Sequence, residues 1–465
     1  MTNEAAYRVK SIHVRKLFGV YDHDVVLNAD ARVTIIHGPN GIGKTALLRL
    51  TNALLQGNYL AFLTTPFERF EILFTDGSAL RAVRFEKIRK TNKSARPTKS
   101  TKLQIERLKE GHTAIVWSID DDAKIVERTL ARASQLPYIE KIGPNTWLDV
   151  QNRSRLTATE MLTQFSDSDD LDLEFFEVAD FNGGRKYDAR AFTSFLKVHF
   201  IEAQRLIGWR PTSRSVLPSM SGEQEMFETV EQYSTELLTA LRDVQSKFAA
   251  VTQKLDQSFP MRVLRQTANV HAEELDATQK KISANRRKLV ALGLIAETAD
   301  RDVEIVDSAF EALTPEKLGT LALFLDDSSE KLKTFDDLAD RVEILLDTIN
   351  KKFRNNEIKI SGERGLYAIG PDGQELALKA LSSGEQHEII LLYDMLFKVQ
   401  RNSLVLLDEP ELSLHLEWQR SFLDDLMRVI KVVGFDVVIA THSPYIVGDR
   451  SDLLVDLSAT VAIAA

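Results

Sequence analysis

The sequence predicts an α/β protein on a parallel sheet, with a β-rich subdomain in its N-terminal part and a helical insertion. Three observations carry this. Val33-Thr-Ile-Ile36 leads through the glycine-rich run Gly38-Pro-Asn-Gly-Ile-Gly-Lys-Thr45 into leucines at helical spacing. From Leu381 onward, helical patterns and apolar strands alternate, as a parallel sheet requires. Between these parts, residues 221–353 carry little glycine or proline and turn helical.

Taken in order, Tyr7 and Val9 fall on one face of an opening strand and Ile12 and Val14 on the other. Asp24-Val-Val-Leu27 and Val33–Ile36 read as further strands. Leu47, Leu48, Leu50, Leu54 and Leu55 then mark a helix over Thr45–Leu55. A hairpin is expected over Phe67–Glu86, because Ile72-Leu-Phe74 and Ala82-Val-Arg-Phe85 flank Asp76-Gly77. Another strand spans Thr113–Ile119, residues 120–195 are polar and uneven, and Val198-His-Phe-Ile201 resumes the core.

The helical region carries two heptad seams: Leu237, Leu241, Val244, Phe248, Val251 and Leu255, then Leu338, Val342, Leu345, Ile349 and Phe353. Pro260 is expected to break the first helix. A helix over 223–259 would be roughly 55 Å long at about 1.5 Å per residue. It could pack on the core or project as an arm; Gly293 and Pro315 favour a compact bundle or a short arm. Strand and turn signals return at Glu357–Leu378, with a turn at Pro371-Asp-Gly373. The expected division is residues 1–205 for the N-terminal lobe, 206–355 for the insertion and 356–465 for the C-terminal lobe.

The chain has 465 residues, 44% hydrophobic and 27% charged, as an ordinary globular protein does. It has no cysteine, which excludes disulfides, thiolate metal sites and cysteine nucleophiles and fits a reducing compartment. With no signal-peptide pattern and no apolar run of membrane-spanning length, a cytoplasmic protein without membrane contact is expected. The net charge of −9 argues against indiscriminate coating of nucleic acid. Charge is blocked, however. Arg84, Lys87, Arg89, Lys90, Lys93, Arg96, Lys99 and Lys102 face the single acid Glu86, and acids crowd 167–180. Solvated loops are the ordinary form of such blocks, and contact of the basic one with DNA or an acidic partner is the sharper alternative.

The chemistry lies at the two ends of the chain. Strand, glycine-rich loop and helix is the context of the phosphate loop GxxxxGK[ST]. Amides of Gly41–Thr45 would wrap the β-phosphate of ATP, Lys44 would neutralise the β- and γ-phosphates, and Thr45 would bind Mg²⁺. Gly38, Asn40, Gly41 and Gly43 shape that loop. Leu404-Val-Leu-Leu407 buries a strand that delivers Asp408 to the metal and Glu409 to the attacking water. An isolated Asp-Glu pair is more often a helix start, but one after an apolar strand and before Pro410 is not. His442, after Asp436-Val-Val-Ile-Ala440, is placed to sense the γ-phosphate.

These segments, with Leu381-Ser-Ser-Gly-Glu-Gln386, follow the order of an ABC-type ATPase: phosphate loop, signature, Walker B acids and switch histidine. Gln204, beyond the 198–201 strand, would by resemblance to ABC-type ATPases be the glutamine they send to the metal and water, with Arg205 equally polar beside it. Gly38-Pro-Asn-Gly41 and Leu381-Ser-Ser-Gly-Glu385 resemble the SMC, RecF and OLD-like branch, not transporter subunits. Glu411-Leu-Ser-Leu-His415 and Trp418-Gln419 strengthen the OLD-like resemblance. It is specific over residues 7–60 and 376–448, and Leu416 departs from the proline common in relatives. The resemblance implies an ATPase using ATP and Mg²⁺ in a head-to-tail homodimer, with a higher homo-oligomer expected. There Ser382, Gly384 and Glu385 complete the partner's site. OLD enzymes also carry a nuclease domain for which no segment is apparent here, so any nuclease is expected to be a separate protein. In size and layout the chain resembles the ATPases of bacterial anti-phage systems, first the PARIS type and second the Septu type. That implies a separate effector nuclease and a phage-encoded trigger. The alternative is a RecF- or SMC-like repair ATPase that clamps duplex DNA.

Overall fold

The computed structural model describes residues 7–59, 61–89, 98–120, 127, 130–131, 133–143, 146–150, 154–158, 161, 196–201, 207–209, 226–265, 271–296 and 314–458. Two compact units emerge: Met1–Gln204 with Val399–Ala465, and Arg205–Lys398. Together the described residues form the mixed α/β architecture the sequence predicts.

The first unit opens with β1 (Val9–Leu17), β2 (Tyr21–Val26), β3 (Val33–His37), α1 (Lys44–Gln56) and α2 (Ala61–Thr64). It continues with β4 (Arg69–Phe74), β5 (Ala79–Arg89), β6 (Thr98–Lys109) and β7 (His112–Asp120). Among the described residues, six of these strands make an antiparallel sheet in the order β2-β1-β4-β5-β6-β7. Val9, Ile12 and Val14 are all buried in one apolar cluster, so the expected split between two faces is corrected. The cause is an irregularity in the β1–β4 pairing between Val9 and Ser11, which shifts the alternation by one residue.

The hairpin at Asp76-Gly77 forms, with Gly77 at φ +82°. The basic block is not a loop at its ends: Arg84–Arg89 lies in β5, and Lys99 and Lys102 lie in β6. Leu103 and Ile105 alternate inward on β6, a strand signal that the neighbouring charges obscured. Arg84 itself is a packing group. Its guanidinium donates to the Phe62 carbonyl at 2.6 Å and lies over the Phe67 ring. Residues 90–97, the acidic block 167–180 and Gln204 lie outside the described residues.

Where the sequence offered no assignment, β8 (Ile139–Gly143), β9 (Thr146–Asp149) and β10 (Ser154–Thr157) form a small antiparallel sheet. Ala133, Trp147 and Met161 fill its core. β11 (Val198–Ile201) then enters a separate parallel sheet.

The second unit begins with β12 (Ile207–Trp209) paired to β13 (Met226–Glu228). It continues through α3 (Thr229–Leu264), α4 (Ala272–Ala291), α5 (Pro315–Lys333) and α6 (Asp336–Lys352). β14 (Glu357–Ser361), β15 (Gly365–Ile369), β16 (Glu375–Leu376) and α7 (Ser383–Tyr393) complete it, and a π-helical turn, Asp394–Lys398, follows. α3 does not stop at Pro260 but runs one further turn. A proline removes one helical hydrogen bond, and near a helix end that loss is readily offset. Here Arg262 donates to the Leu255 carbonyl and grips Asp327 of α5 through both oxygens at 2.6 Å.

The first seam is buried only in its opening part, at Leu237 and Leu241, whereas every member of the second is buried. The reason is what each meets. The start of α3 packs on β15 and α7, with Ser234 Oγ bonded to both the amide and the carbonyl of Leu366. Farther along, α3 meets α5, and α4 and α5 share a small apolar cluster around Leu275 and Leu325.

The chain returns to the first unit with β17 (Leu404–Asp408), α8 (Leu416–Val433), β18 (Asp436–Ala440), α9 (Pro444–Val447) and β19 (Leu454–Asp456). These strands join earlier ones in a parallel sheet ordered β11-β17-β18-β3-β19. Every residue of β17 and β18 is buried, as continuous apolar runs in parallel sheets are. No helix among the described residues is long and apolar enough to cross a membrane.

Candidate nucleotide site

Three loops of the first unit leave the carboxyl ends of adjacent strands β3, β17 and β18, where open α/β sheets bind ligands. The β3 loop holds Gly38 to Gly43 and runs directly into α1. Asn40 and Gly41 are exposed, and Gly41 and Gly43 take φ of +86° and +98°. At Gly43 a Cβ would stand 2.5 Å from Leu17 Cδ2, and the positive φ itself favours glycine there. Lys44 Nζ bends back to the carbonyls of Gly38 at 2.8 Å and Pro39 at 3.1 Å. Burial pulls the Lys44 amine below its usual range, while the carboxylates of Glu409, Asp408 and Glu411 oppose that shift.

The β17 loop brings Asp408 against the helix start, where Thr45 Oγ1 donates to Asp408 Oδ1 at 3.1 Å. Glu409 follows at φ +48° and ψ +54°, a left-handed conformation rare for a side chain of this size. Such backbone costs about 1–3 kcal/mol and persists where the surroundings enforce it. Here the Glu409 amide is tied to the Ala440 carbonyl at 2.9 Å. The β18 loop places His442 Nδ1 3.3 Å from Lys44 Nζ and His442 Nε2 3.7 Å from Glu409 Oε1. Burial, then the Lys44 charge, lowers the His442 pKa, which favours the neutral ring.

Gly38, Lys44, Thr45, Asp408, Glu409 and His442 therefore converge in one unit. Ser382, Gly384 and Glu385 lie in the other, at the start of α7. Ser382 caps that helix: its Oγ accepts from the Glu385 amide, and the Glu385 carboxylate accepts from the Ser382 amide at 2.9 Å. Glu385 also accepts from Asn356 Nδ2 at 2.9 Å, so its carboxylate is engaged within its own unit. Leu416, the departure from the expected proline, is the first residue of α8, a position at which proline is favoured.

Two contributors were not identified from the sequence. His23 is fully buried on β2, and its Nε2 bonds the Ile42 carbonyl of the phosphate loop at 2.8 Å. Its signal was available, since His23 shares the inward phase of Val25. Glu411 reaches the His442 turn, a contact between segments distant in sequence.

The donor set suits a nucleotide. A buried amine, left-handed glycines and a helix start favour phosphate, and the Thr45–Asp408 pair offers hard oxygen ligands for Mg²⁺. Among the described residues no three His, Cys, Asp or Glu side chains cluster as a metal cage.

Residues 8–447 match the profile of the AAA ATPase domain. Similar solved structures include a Smc head domain with an extended coiled coil bound to the C-terminal domain of ScpA, derived from Pyrococcus furiosus. It is 12% identical at a TM-score of 0.32, covering 95% of this chain and 91% of that one. A SmcHead bound to the C-winged helix domain of ScpA is 11% identical at the same TM-score, covering 94% and 90%. No curated protein matches the sequence.

Proposed function

The chain belongs to the AAA ATPase domain family, and we propose that it hydrolyses ATP as the sensor subunit of an anti-phage complex that restrains or activates a separate effector nuclease. The ATPase part is carried by one observation: Lys44, Thr45, Asp408, Glu409 and His442 meet at the carboxyl ends of β3, β17 and β18. In this reading the Gly41–Thr45 amides and Lys44 hold the phosphates, and Thr45 and Asp408 hold Mg²⁺. That ion, when bound, neutralises charge on the phosphates. Glu409 orients or deprotonates the attacking water, and His442 reads the γ-phosphate.

Ser382, Gly384 and Glu385 complete the site of a second copy in a head-to-tail homodimer, the unit of a larger homo-oligomer. The motifs at Gly38–Gly41, Leu381–Glu385 and Glu411–His415 resemble those of OLD-like ATPases, and the defence role is supported by the resemblance of the chain's size and layout to the PARIS and Septu ATPases. Cells carrying the chain with its neighbouring genes should survive phage challenge, and Lys44→Ala and Glu409→Gln should each abolish survival. Purified Lys44→Ala should lose ATP binding, and Glu409→Gln should bind ATP without turnover. Protection that survives both substitutions would sink the defence reading, and full hydrolysis by both would sink the site assignment.

A further inference from the structure

We propose that Glu411 is a positioning residue: its carboxylate clamps the Thr441–Ser443 turn and thereby sets where the His442 imidazole stands against Lys44 and Glu409. The proposal rests on the ATP-hydrolysis reading above and assigns a new part of its machinery. A single oxygen, Oε1 of Glu411, accepts three hydrogen bonds. They come from Thr441 Oγ1 at 2.8 Å, the His442 amide at 2.7 Å and the Ser443 amide at 3.2 Å. Two successive amides aimed at one anionic oxygen form a small nest. Charge-assisted bonds of this kind are about twice as strong as neutral ones.

A second brace runs beside the first. Gln419 on α8 donates to the carbonyls of Glu411 at 3.3 Å and Leu414 at 3.1 Å, and its Oε1 accepts from Ser443 Oγ at 2.7 Å. Thr441 Oγ1 also accepts from the Ser443 amide at 2.9 Å, which closes the turn. Thr441 and Ser443 are buried, so solvent does not compete for these donors. Glu411 Oε2 is buried too and makes no hydrogen bond among the described residues.

The geometry has a mechanical meaning. Glu411 stands in the single 3-10 turn Pro410–Ser413 that directly follows Glu409. The carboxylate assigned to the water and the carboxylate that aims the switch histidine therefore sit two residues apart on one short turn. Any shift of that turn moves both, so water activation and γ-phosphate sensing are set together.

The test compares Glu411→Ala and Glu411→Gln with the full-length wild type. It measures ATP hydrolysis, affinity for a non-hydrolysable ATP analogue, and amide hydrogen exchange in the peptide holding Thr441 to Ser443. Glu411→Ala should lower kcat at least about ten-fold while KM and analogue affinity stay within about two-fold, because positioning is lost and binding is not. Glu411→Gln, which keeps the shape and one acceptor, should recover part of kcat, and exchange over the turn should rise in both variants. A kcat within about two-fold of wild type in Glu411→Ala overturns the proposal, as does a parallel loss of kcat and analogue affinity. If Glu411→Ala does not fold, Glu411→Gln and Thr441→Val carry the same split between kcat and KM. Failure of the ATPase reading looks different: the wild type would hydrolyse nothing while exchange still rose in the variants. Exchange at the wild-type level overturns the clamp whatever the activity.

Discussion

At the scale of single residues, the phosphate loop is held at Ile42 by a buried histidine whose neutral form is favoured. Burial holds the His23 pKa below its ordinary value, and its Nε2–H donates to the Ile42 carbonyl. The unfolded chain takes up this proton near the usual value of about 6.5, the folded chain only at lower pH. The native state therefore holds fewer protons below that point, and stability present above it is lost as pH falls through the folded pKa. His442 shifts in the same direction and adds to the loss. Thermal unfolding followed from about pH 8 to about pH 5.5 should show a falling melting temperature. His23→Gln, which can still donate to Ile42, should show a smaller fall. An identical pH dependence in both proteins would remove His23 from this role.

At the scale of elements, the turns of the second unit differ in what their backbone tolerates. Gly293 follows α4 at φ +73°, and a Cβ there would stand 1.9 Å from the Ile360 carbonyl oxygen. Gly373, in the turn between β15 and β16, has nearly the same φ of +75° but nothing within 4 Å. The two positions separate conformational strain from collision within one unit. Gly373→Ala should cost about 1 kcal/mol, the left-handed penalty alone. Gly293→Ala adds a backbone clash and should cost about 3 kcal/mol or more. Denaturant unfolding of both variants checks the ordering, and equal losses would mean that the α4–β14 contact yields easily. Pro260 makes the complementary point, since α3 continues one turn past it, where Arg262 bonds Leu255 and Asp327.

At the scale of the whole molecule, the proposed dimer makes a quantitative demand. Lys44→Ala spoils the phosphate loop of one copy, and Ser382→Arg spoils the signature of the other. A mixed dimer then keeps one undamaged composite site. In an equal mixture with random exchange, half of the dimers are mixed and half of their sites intact. About a quarter of wild-type hydrolysis should return although each parent alone is inactive. Mixed dimers confirmed by differential tagging but lacking activity would contradict sites shared between copies and acting independently.

Sequence alone determined the α/β class, the phosphate loop, the apolar strand before Asp408-Glu409 and the strand before His442, because each is a local pattern. Backbone period, glycine freedom and continuous burial are written in neighbouring residues. The helical character of α3 and α6 was equally legible, since heptad spacing is local. Only the tertiary structure decided what depends on contacts between distant segments. The shift between Val9 and Ser11 reversed the predicted face of β1, because pairing with β4 sets that register. Charge counting obscured β6, whose hydrogen-bond partners lie in β5 and β7. Glu411, read only as part of a motif, proved to hold the His442 turn, and His23 to hold Ile42. A side chain's partner across a fold depends on where strands register and turns close, which no local window of sequence contains.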